Sequence, residues 1–188
     1  LLYGDVPLLS AATLQRLLQA HAASGAAATV LTARVPNPQG YGRIVRDAAG
    51  AVAAIVEEKA ATAEQKLISE INSGIYCFEA ELLWPHLEKI EPNPASGEVY
   101  LTDLVELLRA SGHSTQPLLL DDISELLGIN TRVELAEADR IFRDRKVREL
   151  MLSGVTIERP DTVTVDWQVE VGQDTVIGPH TQLLGNTR

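Results

Sequence analysis

Cysteine occurs once in this 188-residue sequence, at position 77, and methionine once. A single thiol excludes an internal disulfide framework and fits a reducing compartment. Cys77 sits in the apolar run IYCF and reads as core packing. Aromatic residues make up 4% of the chain against 45% apolar residues, so the core must be built from Leu, Val, Ile and Ala. No run approaches the roughly 20 apolar residues that cross a bilayer, and no signal-peptide pattern is visible. Cations are also scarce: 16 Lys and Arg face 26 Asp and Glu, for a formal net charge of −10 and a pI near 4.8. That balance repels a nucleic-acid backbone and argues against such a partner. Small phosphorylated substrates stay open, because a local site can be cationic or carry a metal.

The length allows one full domain plus an appendage. Ser10 predicts a helix cap over about 11–23, with Leu14, Leu17 and Leu18 on one face and Gly25 as stop. AAATVLTARV reads as a strand and PNPQG as a loop. YGRIVRD and AVAAIVEE flank Asp47–Gly50, a hairpin signature in which Gly50 supplies the positive φ. ATAEQKLISE reads as a polar helix or connector, and INSGIYCF as a strand. A helix near 79–90 must begin or kink at Pro85. EPNPASGEVYLTD is a loop feeding a helix over 103–111 with Thr102 as cap and Gly112 as stop, and QPLLLDD is a further strand. A long helix follows over about 132–153, opened by a Thr131/Glu134 capping box and ended by Gly154. Strands and helices alternating through short joins predict an α/β layered sheet.

After Pro160 the texture changes. Val171-Gly172, Ile177-Gly178 and Leu183 recur in step, an aliphatic residue at fixed spacing with Gly behind it. That is the mark of a left-handed parallel β-helix, against the plainer reading of two ordinary strands. One turn cannot bury its own face, so the repeat is expected to continue past Arg188. The chain has no initial Met and starts inside a strand pattern, which reads as an excised piece.

Candidate chemistry begins at LLYGDVPLL. Leu1-Leu2-Tyr3 reads as the tail of a buried strand, Gly4 as a turn, and Asp5 as a carboxylate where ligands of open α/β sheets bind, or as a plain turn residue. Asn130 stands beside the start of the long helix, where Thr131 already does the capping, so its amide oxygen is free. A carboxylate with one neutral oxygen, leaving other positions to water and phosphates, suits Mg²⁺. In GYGR, Gly42 lets a backbone amide approach a ligand, or marks a strand-entry kink. Glu57, at a strand end in IVEEK, can accept hydroxyl hydrogen bonds or be solvated. Asn72, in EINSGIY, needs partners for its amide, from the backbone or from ligand hydroxyls. The four histidines, His21, His86, His113 and His180, are scattered and read as structural.

Taken in order, YGDVPLL, GYGRI, IVEEK, EINSGIY, GEVYLTD and GIN resemble the uridylyltransferase domain of the bacterial bifunctional N-acetylglucosamine-1-phosphate uridyltransferase/glucosamine-1-phosphate acetyltransferase family. The match runs from Leu1 to about Pro160, and the repeat beyond resembles the start of that family's β-helix domain. The resemblance implies a Rossmann-like α/β nucleotidyltransferase mixed sheet, incomplete at its N-terminus, over 1–131. It further implies a linking helix over 132–154 and the start of a hexapeptide-repeat β-helix over 155–188. Asp5 and Asn130 match the family's Mg²⁺ ligands and are the catalytic pair by that resemblance. Tyr3 and Gly4 match the segment lining the sugar nucleotide, and Gly42, Glu57 and Asn72 match the residues that hold N-acetylglucosamine. The aromatic pair usual in GEYYLTD is here Val99-Tyr100.

The implied reaction transfers UMP from UTP to N-acetylglucosamine 1-phosphate, giving UDP-N-acetylglucosamine and pyrophosphate for cell-envelope precursors, in the cytoplasm. The sugar phosphate is already an anionic nucleophile, so no general base is required and no Ser-His-Asp or Cys-His set is expected. Acetyl transfer from acetyl-CoA and a homotrimer are implied for the intact protein, with no nucleic-acid or membrane partner. The family's Gly-rich phosphate loop has no counterpart here, so the chain alone is expected to be feebly active at best. Two other readings stand beside this one: a nucleotidyltransferase for another base or sugar, and a non-catalytic sugar-nucleotide-binding or assembly module.

Overall fold

A computed structural model of the chain describes residues 1–93 and 97–188. The loop expected over 91–103 falls partly on 94–96, outside the described residues. The chain forms two compact units, Leu1–Leu126 and Leu127–Arg188.

The first unit is built on a five-stranded mixed sheet. Its strands are β1 (Ala28–Arg34), β2 (Arg43–Arg46), β3 (Val52–Val56), β4 (Glu70–Phe78) and β5 (Thr115–Leu119), in the order β3-β2-β4-β1-β5. β1 runs parallel to β5 and antiparallel to β4, and β2 is antiparallel to β3 and β4. Helix α1 (Ala11–Ser24) starts where the Ser10 side chain accepts from Thr13 N, and stops at Gly25 with φ 60°. Its Leu17 packs with Leu31, Ala33, Ile71, Ile75 and Leu120. Val30, Ile44, Val52, Ile55 and Tyr76 form a second cluster with Val105 of helix α3 (Asp103–Ala110). Alternate residues of β1 thus serve two cores, each buried Leu, Ile or Val contributing about 1.5–3 kcal/mol. The β2–β3 hairpin closes at Gly50, φ 85°, with the Asp47 carboxylate accepting from Ala49 and Ala51 N at 3.0 Å.

Four expectations change. Leu1–Tyr3 is exposed and joins no sheet as a strand, although Leu1 exchanges main-chain hydrogen bonds of 2.8 and 3.2 Å with Tyr76. Leu18 shares the α1 apolar face yet is 59% exposed, because that face opens onto an uncovered cavity. Helix α2 spans Ala80–Leu87 and carries Pro85 inside its last turn, so the proline neither begins nor visibly breaks it; the helix simply ends two residues on. Thr102 precedes α3 in helical backbone geometry and makes no cap bond. The connector at 62–68 holds only a short 3₁₀ turn.

β4 departs from regularity where it matters. Val30 opposes Tyr76 and Thr32 opposes Asn72, so β4 spends extra residues between those pairs as a bulge. Gly74 takes φ 78° inside it, and Ser73 stitches the bulge by donating to Leu31 O at 2.6 Å and accepting from Ile75 N at 3.1 Å. A Cβ on Gly74 would lie 2.1 Å from Tyr3 Cε2. At the strand's start, buried Glu70 accepts from Thr32 Oγ1 at 2.6 Å and from Arg46 at 2.6 and 2.8 Å, tying β4 to β1 and β2.

In the second unit, the helix α4 (Arg132–Leu152) has the full expected capping box. Glu134 N donates to Thr131 Oγ1, and the Glu134 carboxylate accepts from Thr131 N at 2.7 Å. Only Ala138, Lys146, Val147 and Leu150 of α4 are buried, and its outer face carries ion pairs such as Arg140–Asp144. Gly154 follows with φ 97°. The short strands β6 (Thr156–Ile157), β7 (Thr164–Val165), β8 (Val176–Ile177) and β9 (Gln182–Leu183) pair in parallel, β6 with β8 and β7 with β9. Val165 and Ile177 point inward with Val169 and Val163, and Val171 and Leu183 pack against them.

Two consequences can be measured. Burial pushes the Glu70 carboxyl up, but the bonds from Arg46 and Thr32 outweigh it and leave it below the usual Glu range. A depressed folded-state value adds stability that is present above the unfolded pKa and lost as pH falls through the folded one. Glu70→Gln should therefore cost about 2 kcal/mol at neutral pH in urea melts. The loss should shrink toward acid pH; a pH-independent difference would contradict the assignment. Gly74→Ala meets both the left-handed backbone and the Tyr3 ring, and should cost about 2 kcal/mol or more. An unchanged melt would show that the ring does not hold that position.

Candidate active site

Gly42 lies buried at the entry to β2, and it is where the expected sugar residues meet. A Cβ built on it would stand 3.2 Å from Ile55 Cγ2, 3.5 Å from Glu57 Oε1 and 3.6 Å from Asn72 Cβ. Three residues far apart in sequence therefore share one patch, and the missing Cβ leaves the backbone open to it. Asn72 N donates to Gly42 O at 2.8 Å, fixing the loop against β4. Arg43, 2% exposed, clamps the same loop from beneath: it donates to Tyr41 O and reaches Glu58 Oε2 at 2.6 Å. Glu58 also accepts from Gly40 N at 3.3 Å, and the Arg43 hydrogen bond holds its carboxyl below the usual range.

The side chains of the patch are held in their poses. Buried Thr102 donates its hydroxyl to Glu57 Oε1 at 3.0 Å, which leaves Oε2 free to accept from a ligand. Asn72 Oδ1 accepts from Gly74 N at 3.0 Å. The Tyr3 ring lies on Gly74, so the Tyr3-Gly4-Asp5 segment borders the patch. Gly4 and Asp5 form an exposed turn, and no hydrogen bond or ion pair engages the Asp5 carboxylate among the described residues. Asn130 belongs to the second unit, exposed beside the capping box, where its backbone N–H donates to Glu134 Oε2 at 2.7 Å. The structure thus brings together Gly42, Glu57 and Asn72, with the Tyr3 ring on Gly74; Gly4 and Asp5 follow Tyr3 in the same unit, and Asn130 stands in the other.

Sequence reasoning missed Thr102, Arg43 and Glu58. Thr102 looked like a cap because a Thr before an Asp-led helix is the usual cap pattern, and nothing local reveals a remote carboxylate partner. Among the described residues no group of three or more His, Cys, Asp and Glu could hold a metal. A Mg²⁺ bound by one carboxylate, water and phosphate oxygens needs no such group. His21 is buried with Nδ1 2.9 Å from Thr29 Oγ1, and His86 lies between Leu82 O and Ser111 Oγ at 2.8 and 3.0 Å. Both are used structurally. Cys77 is half-buried, and desolvation raises its thiol pKa. It lines a cavity of about 500 Å³ with Leu17, Leu83, Trp84 and Leu87, whose lining side chains carry no charge.

Comparison with known proteins identifies the family of the chain. Over 187 residues the chain is 50% identical to the bifunctional protein GlmU of Solibacter usitatus, covering 100% of this chain and 40% of that protein. The GlmU of Trichlorobacter lovleyi is 51% identical over 100% of this chain and 41% of its own length. That of Thermobifida fusca is 50% identical over 98% and 38%. The chain therefore spans about two fifths of the length of these curated relatives. A crystal structure assigned as a glucose-1-phosphate thymidylyltransferase of Bacillus anthracis, with bound sucrose, superposes with a TM-score of 0.51 at 20% identity. It covers 70% of this chain and 50% of the other, a likeness of fold. The model of the nucleotidyl transferase family matches residues 2–147, and the chain belongs to that family.

Proposed function

We propose that the protein transfers UMP from UTP to N-acetylglucosamine 1-phosphate, releasing pyrophosphate and forming UDP-N-acetylglucosamine. The observation that carries this reading is the convergence of Gly42, Glu57 and Asn72 within reach of one missing Cβ, with Tyr3 alongside. A backbone amide, a carboxylate and a carboxamide offer donors and acceptors suited to a neutral, hydroxyl-rich ring. A held carboxylate in particular suits hydroxyls and repels phosphate, so this patch takes the sugar and leaves the phosphates to the Asp5 side.

The family implies a divalent metal, and Asp5 fits one: an exposed carboxylate on a turn, unengaged by the protein, is a ready oxygen donor. Asp5 is the residue of the first unit that would hold Mg²⁺. Bound there, the ion would offset charge repulsion between nucleophile and triphosphate and favour departure of pyrophosphate. The residues of the chain itself orient the acceptor. Glu57, fixed by Thr102, and Asn72, fixed by Gly74, align the sugar so that its 1-phosphate oxygen faces the α-phosphorus. An acceptor that is already anionic needs no proton removed, which is why alignment is the main task.

We read the domains as uridylyltransferase over 1–131, linking helix over 132–154 and the first coil of a left-handed β-helix over 155–188. Support for the last comes from parallel pairing of Thr156 with Val176 and Thr164 with Gln182, with aliphatic residues turned inward. On the same reading the intact protein also acetylates glucosamine 1-phosphate from acetyl-CoA and assembles as a homotrimer. A cytoplasmic setting follows from UTP as substrate, and no helix among the described residues is long and apolar enough to cross a membrane.

Titration of the full-length protein with UDP-N-acetylglucosamine, with and without Mg²⁺, tests the proposal. Binding should be tighter with Mg²⁺, and Asp5→Ala should abolish that difference. Pyrophosphate release by the variant should fall at least about a hundredfold, the scale of losing one transition-state charge contact. Equal turnover in Asp5→Ala and wild type would refute it.

A further inference from the structure

Of the three main-chain N–H groups at residues 40–42, two are engaged by the protein. Gly40 N donates to Glu58 Oε2 at 3.3 Å, and Tyr41 N to Pro38 O at 3.2 Å. The carbonyls of the two residues that follow are held as well: Tyr41 O accepts from Arg43 Nη1, and Gly42 O from Asn72 N at 2.8 Å. Gly42 is buried, and its N–H finds no partner among the described residues. Buried main-chain donors rarely stay unpaired, so this one is where a ligand oxygen belongs.

We propose that Arg43 and Glu58 are positioning residues of the sugar site, their ion pair holding residues 40–42 in the path that presents the Gly42 backbone to the sugar. The inference rests on the sugar-nucleotide reading above and gives a role to two residues that reading does not use. Neither acts by touching the ligand. A Cβ on Gly42 would meet Ile55, Glu57 and Asn72, and Ile44 packs with Ile55. Arg43, between Gly42 and Ile44, therefore faces the other side of the sheet. The adjacent carboxylates divide in the same way: Thr102 donates to Glu57, whereas Arg43 Nη2 reaches Glu58 Oε2 at 2.6 Å. That same Glu58 oxygen takes Gly40 N, so Tyr41 O, Arg43, Glu58 and Gly40 N form a closed circuit around the loop.

Stability gives no sufficient reason for a guanidinium at this place. The Arg43 side chain is 2% exposed, and its buried Nε–H has no partner among the described residues. An orphaned buried donor is destabilising, and an apolar side chain of similar size in place of a buried ion often leaves a fold as stable or more so. What an apolar residue lacks is the fork: two arms at a fixed angle, one on a carbonyl and one on a carboxylate. Lysine lacks it too. Tyr41 is exposed and the Glu58 side chain is 29% exposed, so water can take over both partners if Arg43 is removed. The loop would then lose its set path while the sheet beneath it stays folded.

Two ligands and a conservative variant test the assignment. Wild type, Arg43→Met, Glu58→Ala, Glu58→Gln and the Arg43→Met/Glu58→Ala double variant, all in the full-length protein, are melted and titrated with UDP-N-acetylglucosamine and separately with UTP. Arg43→Met should melt near wild type yet weaken UDP-N-acetylglucosamine about tenfold, the scale of one oriented hydrogen bond, and UTP less than about twofold. Glu58→Ala should act in the same direction, and Glu58→Gln, which keeps an oxygen for both donors, should restore binding. The double variant should bind no more weakly than Arg43→Met, because both changes act through one loop. Equal weakening of both ligands, additive losses in the double variant, or unchanged sugar-nucleotide affinity in Arg43→Met would each overturn the proposal. Should Arg43→Met not fold, Glu58→Ala against Glu58→Gln decides: a selective loss in the first alone supports the pair, and no difference between them overturns it. If Asn72→Ala and Glu57→Ala both leave UDP-N-acetylglucosamine binding untouched, the sugar reading itself fails, an outcome distinct from failure of the Arg43–Glu58 pair alone.

Discussion

One backbone conformation at the middle of β4 governs the candidate site. Gly74 is left-handed, and its missing side chain is where the Tyr3 ring lies. From that single residue follow the bulge, the position of the Tyr3-Gly4-Asp5 segment and the pinning of the Asn72 oxygen. A strand that ran straight would leave no room for the Tyr3 ring and would present an ordinary pleated surface at Asn72. The strain is absorbed locally: Ser73 satisfies both main-chain groups that the bulge would otherwise orphan, Leu31 O and Ile75 N. Irregularity here is therefore a built feature, bracketed by the regular pairings of Thr29 with Cys77 and Ala33 with Ile71.

Electrostatics then divides the unit by purpose. A chain of net charge −10 has every reason to repel an anionic substrate, yet its carboxylates near the patch are largely spent on partners. Glu58 is paired with Arg43, and Glu70 with Arg46 and Thr32. Buried pairs of this kind often gain little net stability, because desolvation offsets attraction. What they fix is register: Arg43 joins the loop before β2 to the segment after β3, and Arg46 joins β2 to β4. Glu57 is the exception, held by a neutral hydroxyl so that its charge stays available. Asp5 is the other, with its carboxylate unengaged among the described residues.

Much of this was legible in the chain where local rules act alone. Ser10, Gly25, the Asp47–Gly50 turn and the Thr131/Glu134 box each fix a backbone feature through neighbours a few residues away, and each stands as read. The failures share a cause. Thr102 was read by its neighbours as a cap, but a carboxylate 45 residues back claims its hydroxyl. Pro85 was read as a start or a kink, yet a proline costs least near a helix end, where few intrahelical bonds remain to lose. Leu1–Tyr3 was read from hydrophobicity as buried, but Tyr3 is used for its ring against a glycine. Sequence can announce Gly42, Glu57 and Asn72 as candidates; only the sheet order β3-β2-β4 makes them neighbours.

That sheet order also bears on why the chemistry can be so sparing. Gly42 leads into β2, Glu57 follows β3 and Asn72 lies in β4, three adjacent strands of one sheet, so strand pairing and the Asn72 N–Gly42 O bond set their spacing. Side chains mounted on such a frame lose little further freedom when a ligand arrives, and the cost of ordering the site has been met during folding. For a reaction whose nucleophile arrives already charged, orientation is the part of the barrier a protein fold can most readily lower. On the proposed function, a sugar cradle beside a separate, exposed carboxylate is the arrangement that logic favours: the frame would set the angle of approach, and the Asp5 carboxylate, unengaged among the described residues, would be available to the phosphates and their metal.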